Sequence, residues 1–432
     1  MRILIVSTHY PPQPAIASHR VHAHAMAWAE RGADVTVLTT RKQSDQRAAP
    51  TASPGVRVEE VAFPLSLPVR WARREAGERG LRSHAGDEPS PERRGLGRAL
   101  VSLRERTGIY AGIRMPDASD AWVGPAVERG IELARERPFD VVFASSGPYT
   151  TLRVAHQLRM VGAARRFVAE FRDLWTANHS AQGLFPLSVR ERSIEREILG
   201  AADRLVTVSE GLAAWLRGRS RAPVDVIYNG HAGRRPARGH RDAEGPVELA
   251  YTGAVYRRGH DLGPLMRSLS VLKMTDPALY RRVRLTCAGG SGDAFRRAAG
   301  PAGVTDRLDL LGVVPRERSL EIQDRAAAVV SLEWVGRADG VLTGKLFEYL
   351  AGARPILVVG PAREITSLVV RCGRGVHAGT DAGSVADTIK AVADGTLEAS
   401  LRPNEGLIES LSRENQSGRL FEAIQELVTR GD

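Results

Sequence analysis

VELAYTG, residues 247–253, is a short and mostly apolar run that ends in a glycine. A run of this length closed by a turn residue predicts a buried strand of a parallel sheet. RILIVS (2–7) opens the chain in the same way, and both runs are followed by further short apolar runs alternating with amphipathic helical stretches. We therefore predict an α/β protein with two doubly wound, Rossmann-like domains.

The length of the chain agrees with two domains, because 432 residues are too many for one ordinary core. We predict an N-terminal domain over 1–230, a linker over 231–246 and a C-terminal domain over 247–403. Residues 64–116 are rich in Arg, Gly and Pro and are predicted to be a variable insertion. A last helix is expected within 404–432, with packing against the N-terminal domain as one option.

The net charge of +11 raises the question of an anionic partner. Only four of the 61 basic residues are lysine, and the remaining 57 arginines are spread along the chain. No recognition helix or RNA-stacking motif accompanies them, so a specific nucleic-acid partner is not predicted. Contact with an anionic membrane surface stays open.

Two cysteines 85 positions apart form neither a disulfide framework nor a zinc pattern, and no apolar run is long enough for a membrane span. We therefore predict a cytoplasmic protein, with peripheral contact at the inner face of the membrane as a second option.

Six segments together resemble the GT-B glycosyltransferases of family 4. The loop and helix after the first strand carry YPPQPAIASHRVHAHAMAWAERGADVTVLTT (10–40). The middle of the first half carries EFRDLW (170–175), ADRLVTVSEGL (202–212) and VIYNG (226–230). The second half carries YTGAVYRRG (251–259) and GKLFEYLAGARPIL (344–357). The resemblance implies two domains facing across a cleft. It also implies retaining transfer of a sugar from a nucleotide sugar, without a metal or other cofactor. The donor would bind the C-terminal domain and a small-molecule, glycan or lipid-linked acceptor the N-terminal one.

The sequence agrees with the expectation that no metal is used, because no two aspartates are separated by a single residue. A clamp for a metal-bound diphosphate would require such a pair. Cations and backbone N–H groups must then hold the diphosphate. We expect this role for Gly253, Arg257 and Arg258, although two solvated arginines are the plainer interpretation of the pair. Gly289 and Gly290 form a further glycine turn that turn chemistry alone would also explain.

The motif GVLTGKLFEYL places Gly340, Thr343, Gly344 and Lys345 near a helix start, where anions are favoured. By resemblance, Glu348 bonds the ribose hydroxyls of the nucleotide; the alternative is an i,i+3 pair with Lys345.

The family's other glutamate, which bonds the donor sugar, belongs at position 340, where this chain has Gly340. We expect Asp339, Glu333 or the amides of 340–344 to replace it. The sequence leaves the base, the sugar, the acceptor and the oligomeric state open.

In the first half, Arg172 and Asp173 end a strand in EFRDLW. Many family members have a histidine where Arg172 stands, and an arginine suits an anionic acceptor or the departing phosphate. Asp173 would orient the acceptor or only pair with Arg172. His19 and Arg20, after the first loop, are further predicted acceptor residues. We assign catalysis to Arg172, Asp173 and the three cations Arg257, Arg258 and Lys345.

Three other functions fit parts of the sequence. A related GT-B enzyme would epimerise a sugar nucleotide and release a free epimerised sugar without an acceptor. A non-catalytic sugar-binding protein would explain the missing first glutamate. A nucleic-acid binder would show strong, salt-dependent affinity for DNA.

Overall fold

The computed structural model describes residues 1–13, 16–42, 53–62, 117, 119–178, 187–236, 244–256, 259–336 and 340–430. The chain forms two compact units. The N-terminal unit contains Met1–Val208, Leu212–Ile227 and Ser417–Asp432, and the C-terminal unit contains Ser209–Gly211 and Tyr228–Gln416. The predicted insertion at 64–116 and the linker residues 237–243 lie outside the described residues.

The N-terminal unit is built on a parallel sheet of seven strands in the order β3-β2-β1-β4-β5-β6-β7. Its strands are β1 (Arg2–Val6), β2 (Asp34–Thr40), β3 (Val56–Val61), β4 (Phe139–Ser145), β5 (Ala164–Phe171), β6 (Arg204–Thr207) and β7 (Val224–Val226). Its helices are α1 (Ile16–Glu30), α2 (Val123–Leu133), α3 (Thr150–Met160), α4 (Leu187–Ala201) and α5 (Glu210–Arg217), the last beginning at the boundary of the unit. The central strands are buried on both faces, which is why they read as continuous apolar runs.

The C-terminal unit is built on six parallel strands in the order β10-β9-β8-β11-β12-β13. These are β8 (Val247–Thr252), β9 (Val283–Ala288), β10 (Leu308–Gly312), β11 (Ala328–Leu332), β12 (Ile356–Val359) and β13 (Gly375–Gly379). The helices are α6 (Gly263–Thr275), α7 (Pro277–Arg282), α8 (Gly292–Ala302), α9 (Arg316–Arg325), α10 (Gly344–Ala351), α11 (Glu364–Arg371), α12 (Ala382–Ala393), α13 (Thr396–Ser400) and α14 (Glu405–Ser410). The prediction of an α/β fold with two doubly wound sheets is confirmed.

The end of the chain differs from the single helix that we expected. It forms α14 and a separate helix α15 (Arg413–Thr429). Ser412, between them, makes a bridge to His231, whose carbonyl accepts from the N–H of Arg413 at 2.8 Å. This pairing interrupts the helix. From Ser417 onward α15 belongs to the N-terminal unit, where Phe421 packs in the same core as Trp28.

The sixth strand of the C-terminal unit, β13, was missed in the sequence. Its residues GVHAG have two glycines in five positions, and glycine is depleted in strands. At Gly375 an added Cβ would lie 2.0 Å from the carbonyl oxygen of Ile356 on β12. Close contact between neighbouring backbones, rather than strand propensity, explains this glycine.

Candidate functional site

Two glycine turns meet at the carboxyl edge of the C-terminal sheet. Gly253 follows β8 with φ +106°, and its N–H donates to the carbonyl of Ala288 at 2.7 Å. Gly289 follows β9 with φ +142°, and a Cβ added there would lie 2.4 Å from the carbonyl oxygen of Gly253. Both positive φ values and the close approach require glycine. Gly253 is exposed and Gly289 half-buried at the sheet edge where doubly wound folds bind ligands, and the N–H of Gly289 donates to the carbonyl of Gly312 at 2.6 Å.

Helix α10 begins beside these turns and carries the predicted lysine. Thr343 precedes the helix, Gly344 is its exposed first residue, and Lys345 is its second. The position of a Cβ on Gly253 lies 3.5 Å from Cδ of Lys345, so the lysine stem passes over the first glycine turn. The helix start, the lysine and the glycine turn therefore share one place in the fold, as predicted for a diphosphate site.

The ammonium of Lys345 lies over the ring of Tyr251, 3.7 Å from the centroid, and contacts the tyrosine hydroxyl. It also donates to the carbonyl of Ala254 at 3.4 Å. Among the described residues no carboxylate forms an ion pair with it. Burial lowers the pKa of Lys345 to about 7. A cation held without a carboxylate is prepared to interact with an anion.

Glu348 is bonded to residues of α9 instead of Lys345. Its Oε1 accepts from Arg316 at 3.0 Å, and its Oε2 accepts from the side-chain amide of Gln323 at 3.5 Å. Its side chain is 23% exposed, so one part of the carboxylate still faces solvent. The alternative i,i+3 pair with Lys345 is not formed, because the lysine is directed toward Tyr251.

Glu333, one suggested replacement for the missing donor-sugar glutamate, is buried and bonds elsewhere. Its Oε2 accepts from the N–H of Thr366 at 2.9 Å and from the Thr366 hydroxyl at 3.0 Å, near the start of α11. Gly340 is buried with φ +83°, a conformation that favours glycine over a glutamate. Asp339 lies outside the described residues, as do Arg257 and Arg258. Gly290 is exposed beside Gly289.

An aromatic cluster next to Lys345 was not predicted. Tyr256, His260 and Trp334 lie with ring centroids 5.5–5.9 Å apart. Burial and the charge of Lys345 lower the pKa of His260 to about 3, which keeps this imidazole neutral. Tyr256 and His260 follow β8 and Trp334 follows β11, and these segments meet only in the folded chain. No periodic pattern in the sequence therefore predicts this cluster.

In the N-terminal unit, Arg172 directly follows β5 and lies against the turn after β4. Its Nε donates to the carbonyl of Ser146 at 2.7 Å and one Nη to the carbonyl of Gly147 at 2.8 Å. Asp173 beside it is exposed. His9, in the loop after β1, has its pKa lowered to about 4 by burial and by the charge of Arg172. The first loop and the predicted acceptor arginine therefore lie within electrostatic range of each other.

Arg20 is an interior residue, only 5% exposed. Its guanidinium donates to Glu170 at 2.6 and 3.0 Å and to the carbonyl of Ile227 at 2.8 Å. This position favours a structural role over the acceptor role that we predicted. His19, one residue earlier, is exposed on α1.

The sequence profile of Glycosyltransferase Family 4 matches residues 17–231. Residues 17–231 belong to glycosyltransferase family 4. The protein is therefore a transferase enzyme. Its two parallel sheets are those of the GT-B fold. Among curated proteins, none matches the sequence significantly.

Solved structures resemble this glycosyltransferase over its whole length. Sucrose-phosphate synthase from Thermosynechococcus elongatus is 15% identical with a TM-score of 0.64, covering 100% of both chains. HepE from Anabaena, in complex with UDP and glucose, is 12% identical with a TM-score of 0.59 and covers 99% of this chain and 100% of its own. The lipopolysaccharide outer core galactosyltransferase WaaB is 12% identical with a TM-score of 0.54, covering 99% of each chain. At these identities the likeness concerns the fold.

The helices within the described ranges include none that combines the length and apolarity needed to cross a bilayer.

Proposed function

We propose that this family 4 enzyme transfers a sugar, with retention of configuration, from a nucleoside diphosphate sugar to a small-molecule, glycan or lipid-linked acceptor. UDP and GDP sugars are the proposed donors, and no metal or other cofactor is required. The observation that carries the proposal is the position of Lys345, at a helix start and over Gly253, with no carboxylate partner among the described residues.

The C-terminal unit is the proposed donor-binding domain. The diphosphate would lie at the amides that begin α10 and at the turns of Gly253 and Gly289, with Lys345 supplying positive charge. Arg257 and Arg258 are proposed to bind the same phosphates, and Glu348 the ribose. HepE, a structure with the same fold, was solved with UDP and glucose, which supports a nucleotide sugar as the ligand class.

The chemical step replaces one bond at the anomeric carbon of the donor. The bond from that carbon to the leaving phosphate oxygen breaks, and a bond to the nucleophilic oxygen, nitrogen or sulfur of the acceptor forms on the same face. The acceptor proton passes to the departing phosphate. The protein cations and the helix start stabilise the negative charge that grows on the diphosphate, which is electrostatic catalysis.

The N-terminal unit is the proposed acceptor-binding domain, through Arg172, Asp173 and His19. The two cysteines are buried and free, which supports a reducing, cytoplasmic location. Peripheral contact with the inner face of a membrane remains part of the proposal for a lipid-linked acceptor.

The test is a two-step assay. A thermal-shift screen with UDP, GDP, ADP and TDP sugars selects the donor, because a ligand of the native state raises the apparent stability. The selected donor is then incubated with acceptor extracts in EDTA, and the anomeric configuration of the product is read by NMR. No shift with any nucleotide sugar, or transfer that EDTA abolishes, would contradict the proposal.

A further inference from the structure

Gln323 is a buried polar residue on α9 that contacts the proposed ribose ligand. It is 2% exposed. Its Nε2 donates to the hydroxyl of Thr252 at 3.0 Å and to Oε2 of Glu348 at 3.5 Å. A side-chain amide nitrogen has two N–H groups. Both are therefore used, one on the end of β8 and one on the carboxylate.

Arg235 fixes which way this amide points. Its Nη2 lies 2.9 Å from Oε1 of Gln323, and a guanidinium can only donate hydrogen bonds. The amide oxygen must therefore face Arg235, and the amide nitrogen must face Glu348. Arg235 is itself held by Asp324, whose two carboxylate oxygens lie 3.1 and 3.3 Å from its Nε, and by its backbone N–H on the carbonyl of Ala351.

The carboxylate of Glu348 keeps unused acceptor sites in this arrangement. An ionised carboxylate has about four lone-pair sites. Arg316 uses one on Oε1 and Gln323 one on Oε2, which leaves about two for a ligand. Two acceptor sites match the two hydroxyls of a ribose.

We infer that Gln323, oriented by Arg235, is a positioning residue that holds Glu348 for the 2′- and 3′-hydroxyls and so makes the enzyme selective for ribonucleotides. This inference rests on the proposed role of Glu348. It adds two residues that do not touch the ligand. Because they act through the carboxylate, they affect nucleotides that carry the hydroxyls and leave those that lack them unaffected.

The test measures the affinity of the full-length protein for UDP and for 2′,3′-dideoxy-UDP by calorimetry, with GDP and its dideoxy analogue in parallel. Gln323→Glu keeps an oxygen for Arg235 and replaces the N–H that faces Glu348 with a carboxylate oxygen, which repels the Glu348 carboxylate. Arg235→Met removes the group that orients the amide. Glu321→Gln is the matched control, because Glu321 lies on the same helix and pairs with Arg318 at 3.0 Å instead.

We expect the wild type to prefer the ribonucleotide by about tenfold or more, as hydrogen bonds to a charged group imply. Gln323→Glu and Arg235→Met should each lower that preference roughly 3- to 10-fold, because Glu348 loses the hydrogen bond that positions it, with the dideoxy affinity unchanged. Glu321→Gln should keep the wild-type preference. If Arg235→Met does not fold, Gln323→Glu decides.

The contrary results separate two failures. If Glu348→Gln abolishes the preference and a folded Gln323→Glu retains it in full, the positioning role is wrong and the proposed role of Glu348 stands. Equal losses for both nucleotides in Gln323→Glu would indicate a merely structural role and would also overturn the inference. If the wild type itself does not distinguish the two nucleotides, the proposed role of Glu348 fails first.

Discussion

Lys345 and Tyr251 form a cation–π pair in which the ammonium lies 3.7 Å from the ring centroid. The pair holds the lysine beside the first glycine turn, and burial lowers the lysine pKa to about 7. Tyr251, whose pKa burial raises, and His260, whose pKa is lowered to about 3, also face this site. Of these three groups only Lys345 changes charge near neutral pH.

Donor affinity should therefore fall as the pH rises. Above pH 7 the side-chain amine of Lys345 is mostly neutral in the free enzyme. Binding of a diphosphate then requires this amine to take up a proton. The dissociation constant for UDP-glucose or GDP-mannose should increase between pH 7 and 9, by at most about tenfold per pH unit. Lys345→Met should flatten this dependence, and calorimetry in buffers of different ionisation enthalpy should show proton uptake in the wild type alone. A pH profile shared by the variant would contradict the assignment.

The free protein should show the opposite trend in stability. The folded pKa of Lys345 lies below its ordinary value of 10.5, so the unfolded chain binds more protons between about pH 7 and 10.5. The free energy of unfolding therefore gains a contribution that grows as the pH rises through this window. The difference between the free energies of unfolding of the wild type and of Lys345→Met, measured by urea titration across this pH window, gives the contribution of Lys345. An equal pH dependence in both proteins would rule it out.

Glu348→Ala should weaken nucleotide binding by roughly 1–3 kcal/mol, because ligand hydroxyls would lose their acceptor. Arg316→Ala removes the partner on Oε1, but this pair is exposed, with 51% of the arginine accessible. We expect it to change the free energy of unfolding by less than about 1 kcal/mol. Calorimetry with UDP and GDP checks the first variant, and thermal unfolding checks the second. Unchanged affinity in Glu348→Ala would remove this residue from the site.

Arg257→Ala combined with Arg258→Ala should lower turnover severely and leave the protein folded, because two cations on the leaving phosphate would be lost. Release of the nucleoside diphosphate from the donor measures turnover, and circular dichroism checks folding. The control is Arg296→Ala, an exposed arginine that pairs with Asp293 on α8. Near-normal turnover in the double variant would exclude both arginines from catalysis.

Arg20→Met should destabilise the protein by about 3–5 kcal/mol, because it leaves the carboxylate of Glu170 buried without its cation. Burial alone would raise the pKa of Glu170, but Arg20 and its other partners lower it to about 2. This folded pKa lies below the ordinary 4.5, so the stabilising contribution is present above pH 4.5 and is lost as the pH falls toward 2. Urea unfolding at pH 7 and pH 3 measures both effects.

The exposed pair of Asp293 and Arg296 supplies the control Asp293→Asn, which is expected to lower the free energy of unfolding by less than about 1 kcal/mol. A loss no larger than the control's would contradict the structural role of Arg20.

The two α/β domains and the residues proposed for the donor site could both be predicted from the sequence. Mostly apolar runs such as VELAYTG, in which Glu248 alone of the strand is exposed, are typical of strands covered on both faces in a parallel sheet. Gly253, Gly344 and Lys345 could be predicted from the residues because glycine turns and helix starts are local features, whereas the role of Glu348 came from the resemblance to family 4. Local geometry depends on residues that are close together in the sequence, so the sequence predicts it.

The hydrogen-bond and ion-pair partners of these residues depend on how the chain folds. Glu348 meets Arg316, 32 positions away, and Lys345 meets Tyr251, 94 positions away. The burial of Arg20 against Glu170 spans 150 positions. No periodic pattern encodes such pairs, because a side chain's hydrogen bonds depend on which strands and helices pack together. The charge and pKa of each group follow from that packing, and so does the difference between a residue that supports the fold and one that can meet a ligand.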